Sequence, residues 1–289
     1  MIQFVKRNQL DENKYNACIS ASLQSRIYAY SWYLDIVTDN WSVLVLDDYQ
    51  AVMPLPWRVK YGVKYVYPPL WLIELGFFSL KENTSIDLFF KAARKKFRFI
   101  ETRLNTDNSF DYIDKKQLHY LKLEEEYLTI YKDYNKDKKK DLRKSSKFGL
   151  IEKWNDDPKK IIHLFKKNVG ARIPNVKEAD YDKLLKILRL SIKNDVGEIL
   201  SIYNSENVLV ASGFFLKHKS RVTLLISSTN FENRKNGANT FLIDRAIFRF
   251  QKEFDTFHFG GSSITSIGNY FMSFGAEVET YLVFKKRLL

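Results

Sequence analysis

Apolar positions in the second half of the chain alternate between a strand rhythm and a helix rhythm. Gly149–Trp154 has the pattern of a short strand. Asp156-Asp157-Pro158 follows, residue types suited to a helix start, and predicts a helix to about Lys167. A second helix is predicted from Glu178 to Asn194, because Leu184, Leu185, Ile187, Leu188 and Ile192 recur at helical spacing. Three strands are then expected at Glu198–Tyr203, Val208–His218 and Arg221–Ser227, the first two joined by the turn-forming run Asn204-Ser205-Glu206-Asn207. A polar loop over 233–239 leads into a helix from Ala238 to Glu253, with Ile243, Ile247, Phe250 and Phe254 on one stripe. A strand at Thr256–Phe259, a break at Gly260-Gly261, a helix at Ile267–Phe274 and a strand at Glu277–Lys285 complete the order β-α-α-β-β-β-α-β-α-β. Hairpin-joined antiparallel strands come first, and a helical crossover then joins two strands that should be parallel.

The first half repeats part of this order. Ser42–Leu46 and Ala51–Pro56 flank a turn at Asp47-Asp48, Lys64–Tyr67 reads as a third strand, Ser85–Phe97 as a helix and Arg98–Arg103 as a strand. The repetition predicts a duplicated α/β architecture with mixed sheets. The boundary is expected within 131–148, giving domains 1–130 and 131–289, the second opened by a basic linker helix at 131–148. In that run Lys132, Lys136, Lys138, Lys139, Lys140, Arg143, Lys144 and Lys147 face only Asp133, Asp137 and Asp141. A charge run of this kind is ordinarily a solvated face; its other reading is a phosphate-binding surface.

Length and composition agree with two domains. The chain has 289 residues, 45% of them hydrophobic, with 22 Phe and 17 Tyr to fill sheet faces. The single cysteine, Cys18, excludes an internal disulfide and a cysteine-based zinc site, and no histidine pair has ligand spacing, so no metal is expected. The start lacks the apolar core of a signal peptide, and no run of eighteen apolar residues exists to span a membrane. A cytoplasmic protein is expected. The formal charge of +13 favours polyanionic partners (RNA, cofactor phosphates, or an anionic membrane touched peripherally) or is simply that of a Lys-rich soluble protein with no such partner.

Two segments carry a family resemblance. The first is the basic run from Tyr134 to Leu150, ending Lys147-Phe148-Gly149-Leu150. The second is Phe257-His258-Phe259-Gly260-Gly261-Ser262 followed by Ile267-Gly268-Asn269-Tyr270-Phe271-Met272-Ser273-Phe274-Gly275-Ala276. Tyr67-Pro68-Pro69-Leu70 and Leu75-Gly76 add to it. Together with the order of elements, they resemble the FemAB/FemX-like branch of the GNAT (acyl-CoA N-acyltransferase) superfamily. The resemblance covers the chain from about Trp32 to its end. It implies two tandem GNAT-like domains and a transferase whose donor is acyl-CoA or aminoacyl-tRNA. It also implies a small-molecule amine or a peptidoglycan (cell-wall) precursor as acceptor.

The site residues follow from that resemblance. The donor would lie where Val222–Ser227 and Thr256–Phe259 splay apart, with main-chain amides near Ile226 and Ser227 meeting the carbonyl. Its phosphates would meet Arg234, Asn236, Gly237, Ala238 and Asn239, a glycine turn before a helix, although Asn239 stands where the superfamily carries Gly or Ala. The same residues also read as a plain helix-starting turn. The tyrosine that serves many relatives as general acid falls on Phe271, which carries no proton. Tyr270 beside it points roughly 100° away on a helix, and is either its replacement or a wall of the cleft. His258 could accept a proton from an attacking amine, or be an ordinary sheet histidine. His119, His163 and His218 read as structural. Tyr67, Trp71 and Ser262 are candidate substrate contacts. The sequence is compatible with three functions: an acyl-CoA-dependent N-acyltransferase, a tRNA-dependent aminoacyl transferase, and a binding module that kept the fold and lost the chemistry.

Overall fold

The computed structural model describes residues 1–82, 84–105, 113–261 and 264–287, with Ile113, Asn233, Arg234 and Arg287 described by their backbone only. The first part of the chain forms β1 (Ile2–Lys6), α1 (Glu12–Ala21), α2 (Ser31–Val37), β2 (Asn40–Leu46), β3 (Ala51–Lys60), β4 (Val63–Val66), the short β5 (Phe78–Ser79), α3 (Ile86–Arg94), β6 (Phe99–Arg103) and β7 (Ile113–Lys122). The second part forms α4 (Tyr127–Asp133), α5 (Lys136–Lys147), β8 (Ile151–Trp154), α6 (Pro158–Lys167), α7 (Glu178–Lys193), β9 (Gly197–Tyr203), β10 (Leu209–His218), β11 (Arg221–Thr229), α8 (Ala238–Phe250), β12 (Thr256–Gly261), α9 (Thr265–Met272) and β13 (Glu277–Arg287). The helix starts obey their chemistry. Asp157 caps α6 by accepting from the Lys159 amide at 2.9 Å with Pro158 in the first turn, and Asn135 caps α5 by accepting from the Lys138 amide at 2.9 Å.

The chain divides into two compact units, one of Met1–Lys116 with Thr280–Leu289, the other of Gln117–Glu279. This differs from a cut at residue 130. The last strand crosses back: Val283↔Arg103 through Arg287↔Phe99 seat it beside β6 in the first unit, while β7 pairs with β12 in the second. The pattern of Glu277–Lys285 announces a strand but not the sheet it joins, because alternation specifies a face and not a partner.

In the first unit the strands run β1-β2-β3-β4-β6-β13, with β5 on β3. Ile86, Phe89, Phe90 and Ala93 recur at helical spacing on α3 and bury against Leu44, Met53, Leu55, Ile100 and Phe284. Phe90 stacks on Phe284 of the returning strand at 4.1 Å between ring centroids.

In the second unit the order is β8-β9-β10-β11-β12-β7, with β11 and β12 parallel and the other neighbours antiparallel. Helix α8 lays Leu242, Ile243, Ala246, Ile247 and Phe250 onto Leu200, Ile202, Phe215, Val222 and Phe257. Phe214 faces the other way, where Gly197 leaves room for its ring beside Ser191 of α7. The helix of the basic run, α5, belongs to the second unit and packs on α8. Lys138 and Ser145 are its buried residues, and Lys136, Lys140, Arg143 and Lys147 are exposed.

Candidate active site

The parallel pair in the second unit comes apart after three rungs. Arg221↔Thr256, Val222↔Phe257 and Thr223↔His258 are in register, and β11 continues to Thr229 paired only with β10. Two local irregularities produce the divergence. On β11 the register with β10 steps from Phe215↔Leu224 to Phe214↔Ile226, so Leu225 is an inserted residue that bends the strand. On β12, Gly260 adopts φ 80°, and its amide donates to Nδ1 of His258 at 3.1 Å. Beyond Leu224 the β12 side of β11 is an edge of backbone donors and acceptors without a strand partner among the described residues, the arrangement that receives a carbonyl group. Ile226 and Ser227 lie on this edge, Ile226 buried and Ser227 half-buried.

His258 sits at the last rung, between Thr223 on β11 and Tyr120 on β7, with 1% exposure. Because Nδ1 accepts from Gly260, a neutral ring carries its proton on Nε2. Through this bond the side chain is tied to the kink at Gly260.

The turn before α8 has the glycine geometry expected, with a different neighbour. Gly237 adopts φ 80°, and a Cβ there would lie 2.3 Å from the main-chain oxygen of Asp141 on α5. The glycine is required by helix packing without any ligand. Asn236 is buried, and its Oδ1 accepts from the Ala238 amide at 2.9 Å, which occupies one of the donors a phosphate would use. Ala238 is buried and Asn239 half-buried; of Arg234 only the backbone is described, in the turn 231–236.

A polar cluster that sequence reasoning did not assemble surrounds this helix start. Lys138 is 8% exposed, and its Nζ donates to Asp141 Oδ2 at 3.0 Å and to Thr240 Oγ1 at 3.3 Å. The same ammonium lies 4.5 Å from the ring centroid of Tyr270. The Tyr270 hydroxyl is buried without an aligned hydrogen-bond partner; its polar neighbours are Thr240 and Asn239. Burial pushes its pKa up, so the phenol holds its proton. Burial also opposes the charge of Asp141, yet Lys138, Thr240 and Lys144 together hold its pKa below the usual value. The signal for Lys138 was its place in the basic run, but the face of that run that turns inward is set by packing on α8. Phe271, at the position of the missing tyrosine, stacks on Phe259 at 4.8 Å and belongs to the core.

The remaining sequence candidates are elsewhere. Tyr67 and Trp71 belong to the first unit. The Tyr67 hydroxyl accepts from the Asp39 amide at 3.2 Å and its ring lies 4.1 Å from the Arg58 guanidinium, while the Trp71 carbonyl accepts from the Tyr33 hydroxyl. These contacts engage the Tyr67 side chain and the Trp71 main chain. Ser262 lies outside the described residues. Among the described residues no cluster of potential ligands could hold a metal, and no helix is long and apolar enough to cross a membrane.

A crevice of about 600 Å³ adjoins the end of β11, lined among others by Lys159, Lys160, His163, Lys167, Asn168 and Asn230. Its floor is organised by Asp156, which is buried. Burial disfavours the Asp156 charge, but the Tyr203 hydroxyl, the Asp157 amide and the ammonium groups of Lys160 and Lys153 hold its pKa down at about 2. Relative to an unfolded carboxylate near 3.8, the depressed pKa adds roughly 2 kcal/mol of stability above about pH 4, lost as pH falls from 4 towards 2. Asp156→Asn should therefore destabilise the protein at neutral pH and differ less from wild type near pH 2. Chemical denaturation at both pH values measures this, and a constant difference would contradict the assignment.

No protein-family model matches this sequence, and no curated protein sequence matches it. Solved structures do. The crystal structure of FemX superposes with a TM-score of 0.68 at 10% identity over 94% of this chain and 96% of that one. The C-terminal domain of a putative lysylphosphatidylglycerol synthetase from Agrobacterium fabrum gives 0.60 at 11% identity, covering 95% and 91%. A tandem GNAT protein from the clavulanic acid biosynthesis pathway gives 0.55 at 10% identity, covering 99% and 98%. At such identities the likeness establishes the fold. It is the tandem GNAT fold, with FemX among its structural neighbours.

Proposed function

We propose that the second unit is an N-acyltransferase centre that passes an acyl or aminoacyl group from an activated donor to an amine. The observation that carries this reading is the parting of β11 and β12 after Thr223↔His258, which leaves backbone groups of β11 facing an open edge. The donor carbonyl would lie along that edge. The neutral amine attacks the carbonyl carbon, a C–N bond forms, and the ester or thioester bond breaks. The leaving oxygen or sulfur takes a proton from the Tyr270 phenol, and the proton released by the amine restores the phenol. Positioning and main-chain stabilisation supply the rest. Two features favour an aminoacyl ester of tRNA over acyl-CoA as donor. The glycine turn that would cradle a diphosphate is filled on one side by Asp141 and capped by Asn236. The outward face of α5 presents Lys136, Lys140, Arg143 and Lys147.

The donor is tested by calorimetry with acetyl-CoA and longer acyl-CoAs, beside filter binding of charged and uncharged tRNA. Binding of acyl-CoA without tRNA would reverse the preference; binding of neither would sink the transferase reading. Lys140→Glu with Arg143→Glu is expected to weaken tRNA binding roughly ten-fold or more and to reduce the slope of log K against log salt by about 2. Lys139 is left out of this pair because its Nζ donates to the Lys132 carbonyl at 2.7 Å. An unchanged slope would remove α5 as the contact.

A further inference from the structure

The first unit carries a turn whose sequence contradicts its own geometry. Lys60 pairs with Val63, and between them Tyr61 and Gly62 have φ of 52° and 74°. Two left-handed residues in a two-residue hairpin make a type I′ turn, whose first position favours Asn, Asp or Gly. A bulky aromatic residue is strained there. The fold gives nothing in return, since Tyr61 is 93% exposed and Val59 beside it is 55% exposed. A large side chain kept at a strained site and left almost wholly exposed points to use outside the chain.

The surroundings of the hairpin say what kind of partner it meets. A crevice of about 530 Å³ on one side is lined by Lys60, Tyr61, Tyr65, Phe99, Lys285 and Lys286 among others. A larger one, about 750 Å³, includes Lys6, Lys64 and Lys96 in its lining. Lys60, Lys64 and Lys96 rest on aromatic faces, 5.4 Å from Tyr61, 4.9 Å from Trp57 and 5.7 Å from Phe4. Among the described residues these three and Lys6 have no carboxylate partner. The acids nearby have other partners: Asp35 has Arg7, Asp39 has Arg58, and Asp114 and Glu101 share Lys285, at 2.7 and 4.0 Å, with Glu101 also in the lining of the smaller crevice.

We propose that the β3–β4 hairpin docks this protein on an anionic lipid bilayer. Tyr61 and Val59 enter the boundary between headgroups and acyl chains, and Lys60, Lys64 and Lys96 face the lipid phosphates. Tyrosine suits that boundary because its ring is apolar and its hydroxyl wet. The lysines supply the long-range attraction to an anionic leaflet. A nucleic acid would match the lysines equally well but would leave an exposed aliphatic side chain on a projecting turn without a role. The inference concerns the first unit and does not depend on the transferase reading.

Sedimentation of the full chain with phosphatidylcholine vesicles, with and without about one-third phosphatidylglycerol, tests it. The expected result is binding to the anionic vesicles, weak binding to the neutral ones, and release as salt rises. Each lysine neutralised among Lys60, Lys64 and Lys96 should weaken partition roughly five-fold. Tyr61→Asn with Val59→Thr should weaken it about ten-fold or more. Asn is the residue the turn prefers, so the Tyr61→Asn variant keeps or raises the thermal midpoint and unfolding cannot mimic the loss. Absence of vesicle binding, or undiminished binding by the Tyr61→Asn, Val59→Thr variant, overturns the proposal. Loss of tRNA binding in a Lys60→Glu, Lys64→Glu variant, with no vesicle binding by wild type, would make this a nucleic-acid face and overturn it too.

Discussion

Tyr270→Phe is expected to lower turnover by about 100-fold or more while changing the protein's stability by no more than about 1 kcal/mol. The two effects have separate origins. The hydroxyl is buried within reach of Thr240 and Asn239 but with no well-aligned bond, so its loss costs no more than the roughly 1 kcal/mol of an ordinary hydrogen bond. Removing it leaves a ring of the same shape against Phe271 and Phe274, so the packing is kept. Burial holds the phenol in its protonated form, the form that delivers a proton to a leaving group. The measurement is turnover at saturating donor together with the midpoint of thermal unfolding. Stability and turnover both unchanged would reduce Tyr270 to a wall of the core. Both falling would mean that the hydroxyl has a structural bond that the static geometry does not show.

The elements of the second half were legible because their apolar periods are long and unbroken. Ile243, Ile247 and Phe250 on α8 and the runs of β9 to β11 specify period and face at once. The start of the chain was less so. In α1 only Tyr15, Cys18 and Ile19 are buried among ten residues, too few to impose a rhythm. β7 reads Ile-Asp-Lys-Lys-Gln-Leu-His-Tyr-Leu-Lys, whose charges hide the alternation of a strand. The return of β13 to the first unit was out of reach for a different reason, since pairing between residues such as Val283 and Arg103, so far apart in sequence, leaves no local trace.

The candidate site was half legible. The position of the split could be placed from the order of elements, because a crossover helix between β11 and β12 forces them parallel. The features that mark it, the inserted Leu225 and the bond between Gly260 and His258, depend on backbone geometry that side-chain identity does not encode. Lys138 was visible only as one of many lysines. Its distinction is that a helix with a charged repeat still presents an inner face, and on that face a lysine must bring its own counter-ion, here Asp141.

Whether the glycine turn serves a ligand or a helix is decided by comparing two glycines. Gly237 and Gly149 both adopt positive φ, 80° and 58°. At Gly149 an added Cβ meets only Ser205 at 3.8 Å, an ordinary contact, so Gly149→Ala should cost only the left-handed penalty of about 1–2 kcal/mol. At Gly237 the same atom would lie 2.3 Å from the Asp141 carbonyl, and backbone has to move. Gly237→Ala should therefore cost the left-handed penalty plus about 1–3 kcal/mol of overpacking, a large share of a domain's total stability. The excess over Gly149→Ala, read from denaturant midpoints at a common slope, isolates the contact between α5 and the turn. Equal losses would mean that α5 yields easily and that the turn can open to a diphosphate, which would return acyl-CoA to first place among donors. A larger loss at Gly237 means that the turn is closed by the protein's own helix. The donor must then be held by the β11 edge and by cations outside that turn.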